Sequence, residues 1–318
     1  MKWRERRPGG DVNLDWWAVA SDADGSGLMA SVAVGRLYTS NDSGKTWTER
    51  QPGGDVDLAW TGTASDSDGS NLIACAEVGR LYTSDDYGVT WTERQPGGDV
   101  DLWWKFVASD ADGSNLIACA EGGRLYTSDD YGVTWTERQP GGDVDLVWAG
   151  VASDSDGRNL IACVIAGRLY TSNDYGVTWT ERQPGGDVDL GWGAVASDSD
   201  GSNLIACIDG GRLYTSDDYG VTWTERQPAG DIDNGWICVG SDANGDKLIT
   251  GAWAGRLYLS DNGGASWSET QPEGEENLNW HRVGSSSDGS RLIACVYGSR
   301  LWTGPRGRPQ TLTIINIG

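Results

Sequence analysis

Residues 55–98 read DVDLAWTGTASDSDGSNLIACAEVGRLYTSDDYGVTWTERQPGG, and this 44-residue phrase governs the whole chain. Its opening recurs at Asp11, Asp99, Asp143, Asp187 and Asp231, and in decayed form at Glu275, so seven units account for all but ten of the 318 residues. Inside the phrase, strands are predicted over Trp60–Ser65, Leu72–Glu77, Arg80–Ser84 and Thr90–Gln95, separated by turns rich in Gly and Asp. Four strands joined by tight turns make an antiparallel meander. A repeat of this length built from strands signals a propeller blade rather than a helical array. No segment sustains a 3.6-residue period, so essentially no helix is expected. The expected fold is all-β: one seven-bladed β-propeller over residues 1–318, with four-stranded blades starting near 11, 55, 99, 143, 187, 231 and 275.

The chain ends suit a closed ring. The stretch KWRERRP after Met1 matches TWTERQP of the fourth strand, so residues 1–10 complete the last blade, whose other strands run from Trp280 to about Trp302. Such strand exchange removes a free sheet edge. Thr311–Ile317 falls on the same repeat position as Trp3–Gly9, so two segments compete for one slot, and the N-terminal strand Trp3–Arg7 is expected to fill it.

The most specific motif is the turn into the fourth strand. Ser40–Trp47 (SNDSGKTW) fits S-x-D-x-G-x-T-W, which returns at Ser84–Trp91, Ser128–Trp135, Ser172–Trp179 and Ser216–Trp223. Ser260–Trp267 carries Asn262 for the Asp and Ser266 for the Thr, and Gly304–Thr311 has lost the pattern. The motif resembles the Asp-box, or BNR, repeat of sialidase-like propellers. Its chemistry is structural: the carboxylate accepts hydrogen bonds from its own turn, Gly supplies a positive φ, and Trp packs beneath. It speaks for a fold and not for a function.

Composition narrows the function. With 47 acidic and 24 basic residues the net charge is -23, which opposes nucleic acid and anionic membrane as partners. Eighteen Trp and 11 Tyr against one Phe supply large buried areas. Five of the six Cys hold one repeat position (Cys75, Cys119, Cys163, Cys207, Cys295), where rotation between blades separates them too far for disulfides; Cys238 lies in a different strand. Free buried thiols, and no visible signal peptide, lead us to expect a reducing cytoplasmic setting. The Asp-x-Asp-Gly turns (Asp66–Gly69 and its relatives) lack the later acids of a calcium loop and read as hairpin turns, so no metal is expected.

No enzyme is expected either, and no cofactor. The sialidases that the motif brings to mind need a unique arginine triad, a Tyr-Glu pair and an acid Asp. Here Arg36, Arg80, Arg124, Arg168, Arg212, Arg256 and Arg300 repeat with the blade, and His281 is the only His. No residue is singled out as catalytic.

Differences between repeats point instead to binding. Repeats two to five are nearly identical except in two windows, one flanking the strand-one Trp and one at the tip between strands two and three. In an up-and-down meander both windows lie at the same end. The first window offers Asp15, Trp17, Thr61, Trp103, Lys105, Phe106, His281 and Arg282; the second offers Glu77, Glu121, Ile165, Asp209, Trp253 and Tyr297. A face varied on a fixed scaffold, rich in aromatics and Arg, has the character of an interaction surface. The expected function is non-enzymatic binding of a protein or peptide by a monomer. The alternative is a multivalent lectin with glycans stacked on the repeated Trp16, Trp60, Trp104, Trp148, Trp192, Trp236 and Trp280, which would exploit avidity.

Overall fold

The computed structural model describes residues 2–305 apart from 273 and 275. Among these residues there is no helix, and all strand pairs are antiparallel. The second unit shows the common plan: Trp60–Ser65, Leu72–Ala76, Leu81–Ser84 and Thr92–Arg94 pair in chain order. The fourth strand is shorter than expected because Thr90 belongs to the turn. Its amide and its hydroxyl both donate to the Asp86 carboxylate, at 2.7 Å each.

The turn copies repeat this chemistry. In the first, the Ser40 hydroxyl donates to Asp42 Oδ1, and the Gly44 amide donates to Ser40 Oγ, both at 2.9 Å. Thr46 donates to both carboxylate oxygens of Asp42, and Trp47 Nε1–H caps the Gly44 carbonyl. Gly44 takes a φ of 77°, which a Cβ would strain. These bonds, led by that from the Thr46 amide, hold the Asp42 carboxyl down to about 2.

The last unit pairs an N-terminal strand with strands from the end of the described residues. Trp280–Ser285, Arg291–Val296 and Leu301–Pro305 pair in order, and Arg4–Arg6 adds the outer strand with Glu5 opposite Trp302. Trp3 is buried in a cluster with Trp280 and Trp302. Thr311–Ile317, the rest of the decayed turn from residue 306 onward, and Glu275 lie outside the described residues.

Apolar side chains are buried between units. Ile73, Cys75 and Leu81 of the second unit pack on Trp104, Val107 and Leu116 of the third. The first unit packs on the seventh in the same way, through Trp16 and Leu28 against Ile293, Cys295 and Leu301. Each strand-one Trp is 1% exposed. In six of the units it meets a Tyr ring edge-on, as Trp60 meets Tyr82 at 5.4 Å, a favoured aromatic geometry.

Two sets of backbone bonds stitch neighbours together. At one end amides donate from unit to unit: Ala23 to Ser67, Ser67 to Ala111, Ala111 to Ser155, Ser155 to Ser199, Ser199 to Ala243, Ala243 to Ser287, and Ser287 back to Ala23. At the other end each strand two–three tip bridges the start of the next unit. Val78 pairs with Trp103, Glu121 with Val147, Asp209 with Gly235, and Ser299 with Leu14. The repeated arginines brace this second seam: Arg80 donates to the Gly98 and Val100 carbonyls and pairs with Asp99 and Asp101.

Candidate functional site

The tip and strand-one windows meet inside each unit. The amide of a tip residue donates to the carbonyl just before the strand-one Trp, as Ala33 does to Asp15, Ile165 to Val147, Trp253 to Gly235 and Tyr297 to Asn279. The windows therefore share the end of the unit opposite the Ala23–Ser287 circuit.

Side chains of the first window divide into two groups. Each strand-one Trp is followed by a register shift, a β-bulge, in all seven units. The extra residue changes which side chains turn inward. Thr61 is 3% exposed and donates to the Trp104 carbonyl at 2.8 Å; His281 is 7% exposed, and its Nδ1–H donates to the Trp17 carbonyl at 2.6 Å. These two residues, expected on the binding face, are interior groups. Burial, helped by the nearby Arg282 charge, pushes the His281 imidazole down to about 3 and keeps it neutral. Phe106 is half-buried beneath Arg282, whose guanidinium lies 5.1 Å from the ring centroid although the two come from the third and seventh units. Arg282 also donates to the Ile237 and His281 carbonyls. Lys105 is tied to Glu121 at 2.8 Å.

The rest of the two windows is accessible. Trp103 is 56% exposed and Trp253 is 42% exposed; Asp15, Ile165 and Asp209 are exposed, and Trp17, Glu77 and Tyr297 are half-buried. Trp103 and Ile165 stand on separate units and join no common cluster. Trp17, His281, Trp253 and Tyr297 do come together. Their ring centroids form a closed circuit: Trp17 to His281 4.0 Å, His281 to Trp253 6.3 Å, Trp253 to Tyr297 5.8 Å and Tyr297 to Trp17 6.0 Å. That convergence, from the first, sixth and seventh units, was not legible in the sequence.

The seven strand-one tryptophans cannot be stacking platforms. At 1% exposure, Trp16, Trp60, Trp104, Trp148, Trp192, Trp236 and Trp280 present no ring face to a sugar. Repeated openings exist elsewhere, between units at the Asp-turn end. Three crevices of about 450, 420 and 350 Å³ are lined in equivalent fashion by Tyr219 with Arg182, Tyr131 with Arg94, and Tyr175 with Arg138. Near the Ala23–Ser287 circuit, Asp154 is buried with one carboxylate oxygen unpartnered, and desolvation pushes it up to about 6.

Solved structures share this architecture. YCF48 bound to D1 peptide superposes with a TM-score of 0.73 at 14% identity, over 96% of this chain and 98% of that one. The fold is a β-propeller. YCF48 from Cyanidioschyzon merolae gives 0.72 at 15% identity over 95% and 98% of the two chains. A GH74 enzyme from Niastella koreensis gives 0.54 at 16% identity, over 88% of this propeller and 62% of that chain. No family model matches the sequence, and no curated relative is found.

Proposed function

We propose that this chain is a seven-bladed Asp-box propeller, closed by its N-terminal strand, that binds a protein or peptide without catalysis through the face carrying the two variable windows. One observation carries the reading: near-identical repeats differ mainly where the tip amide bonds to the strand-one carbonyl, while the Asp turns at the far end stay almost unchanged. Exposed Trp103 and Trp253 supply anchors of the kind that dominate interface energetics. The solved complex of YCF48 with D1 peptide agrees with peptide binding on such a scaffold.

Selection of a random peptide library on the purified protein tests this. Enriched peptides should lose at least tenfold in affinity on Trp103→Ala with Trp253→Ala, and keep it on Tyr131→Ala with Tyr175→Ala at the opposite end. The reverse pattern would move the site to the inter-blade crevices. Those crevices favour a second reading, a multivalent lectin whose equivalent sites use Tyr131, Tyr175 and Tyr219 rather than the buried tryptophans. Calorimetry with simple sugars at a stoichiometry well above one would establish that second reading.

A further inference from the structure

Among the described residues, the four-ring circuit draws aromatic side chains of three blades into one cluster on the variable face. Trp17 comes from the first blade, Trp253 from the sixth, and His281 and Tyr297 from the seventh. Adjacent pairs alternate between steep and shallow tilt, with interplanar angles of 42°, 79°, 44° and 75° around the circuit. Stacked aromatics in a core would be covered, but Trp253 is 42% exposed and Trp17 and Tyr297 are half-buried, so ring surface faces outward. An aromatic face carries a negative quadrupole and attracts a cation within about 6 Å of its centroid.

The rim has the matching charge. Gly298, next to Tyr297, lies beside Asp15: a Cβ built on it would sit 3.7 Å from Asp15 Oδ1. Gly235 lies between Asp209 and Trp253, its built Cβ 3.6 Å from Asp209 Oδ1 and 3.7 Å from Trp253 Cβ. Asp15 and Asp209 are exposed, and neither pairs with a cation among the described residues. Of the local cations, Lys105 is neutralised by Glu121, while Arg282 keeps its charge with its guanidinium against the Phe106 ring and two carbonyls. His281, neutral through burial, adds a ring without a charge. The chain as a whole carries -23, which steers positive groups inward.

We propose that Trp17, Trp253 and Tyr297, backed by the interior His281 and flanked by Asp15 and Asp209, form an aromatic site for a cationic side chain, the lysine ammonium or arginine guanidinium of a bound peptide. This deepens the proposed peptide-binding function by naming what the face selects.

End-blocked Gly-Lys-Gly and its neutral counterpart Gly-norleucine-Gly are the probes, followed by indole N–H shifts in nitrogen-15 NMR at low salt. Millimolar Gly-Lys-Gly should shift the Trp17 and Trp253 signals, with norleucine at least about fivefold weaker, the order of one exposed cation–π contact plus two rim charges. Trp253→Leu should abolish the response, and Asp15→Asn with Asp209→Asn should weaken it severalfold while leaving the indole spectrum folded. Equal binding of the two tripeptides would show an apolar patch, and no response from either indole would show a closed cluster; both outcomes overturn the assignment. Library peptides that need Trp253 but show no preference for Lys or Arg would sink this inference alone. Lysine binding with no library peptide enriched would instead leave it standing and sink the broader reading.

Discussion

The Ser287 amide donates to the Ala23 carbonyl at 2.7 Å, across a separation of 264 residues. Six other amides around the same end make the equivalent bond to the next unit along the chain, so this one links the last unit to the first as an ordinary neighbour. Apolar packing agrees, since Trp16 and Leu28 meet Ile293 and Leu301 as Trp104 and Leu116 meet Ile73 and Leu81. An open array would leave two unpaired faces, so these contacts are the ones that the proposed closure requires.

The outer strand Arg4–Arg6 should therefore matter far more than an N-terminal tail usually does. Trp3 is buried and donates to Thr270 Oγ1 at 3.1 Å. Trp3→Ala should cost about 3–5 kcal/mol and lower Tm by about 5–10 °C, with deletion of residues 1–8 at least as damaging. Calorimetry on both variants checks this. An unchanged Tm on deletion would mean that another segment, such as Thr311–Ile317, can take the slot.

Buried and exposed tryptophans should respond oppositely to truncation. Trp148→Ala removes a ring 1% exposed and should cost about 3–5 kcal/mol. Trp103→Ala removes one that is 56% exposed and should stay within about 0.5 kcal/mol while affecting peptide binding. Urea denaturation of both separates scaffold from site; a large loss for Trp103→Ala would make it a packing residue.

The period and strand one of the second unit were legible because one phrase recurs along the chain, and Trp60–Ser65 matches its expected bounds; the N-terminal segment resembles the fourth-strand phrase, and Glu5 pairs with Trp302. Orientation after the strand-one Trp was not. Strict alternation gave no reason to turn Thr61 and His281 inward, but the bulge between Trp60 and Gly62, and between Trp280 and Arg282, breaks that alternation. The four-ring circuit was hidden for another reason. Trp17 and Tyr297 are far apart in sequence, and their rings nonetheless lie 6.0 Å apart.

Between neutrality and pH 5, buried Asp154 and buried His281 should pull stability in opposite directions. Desolvation raises Asp154 from 3.8 to about 6, and Asp22, Asp110 and Asp198 shift the same way. A raised folded pKa contributes stability that is fully present below the unfolded value and lost as pH rises through the folded one. Asp42, held at about 2, works in the opposite sense and loses its contribution only below about 4. His281, held neutral at about 3, contributes stability that is present above its ordinary value and lost as pH falls through that value, so it opposes Asp154. In melting curves Asp154→Asn should therefore lower Tm at pH 5 relative to Tm at pH 8, compared with the parent protein. An unchanged difference between the two Tm values in Asp154→Asn would contradict this assignment.

The sulfur of the sixth blade should be exchangeable with the glycine it faces. In the second blade Gly62 pairs with Cys75, whose sulfur sits 3.0 Å from where a Gly62 Cβ would lie. In the sixth, Cys238 pairs with Gly251, and a Cβ on Gly251 would come within 2.9 Å of the Cys238 sulfur and 2.9 Å of Trp280 Cβ. One buried space thus takes its sulfur from either strand. Gly251→Cys alone overfills it and should cost about 1–3 kcal/mol, and Cys238→Gly alone should leave a cavity at a similar cost of about 1–3 kcal/mol. The double variant restores the arrangement of the second blade, so it should recover most of the loss, with a coupling energy above about 1 kcal/mol. Additive losses in a double-mutant cycle measured by chemical denaturation would show that the two sites are not one shared space.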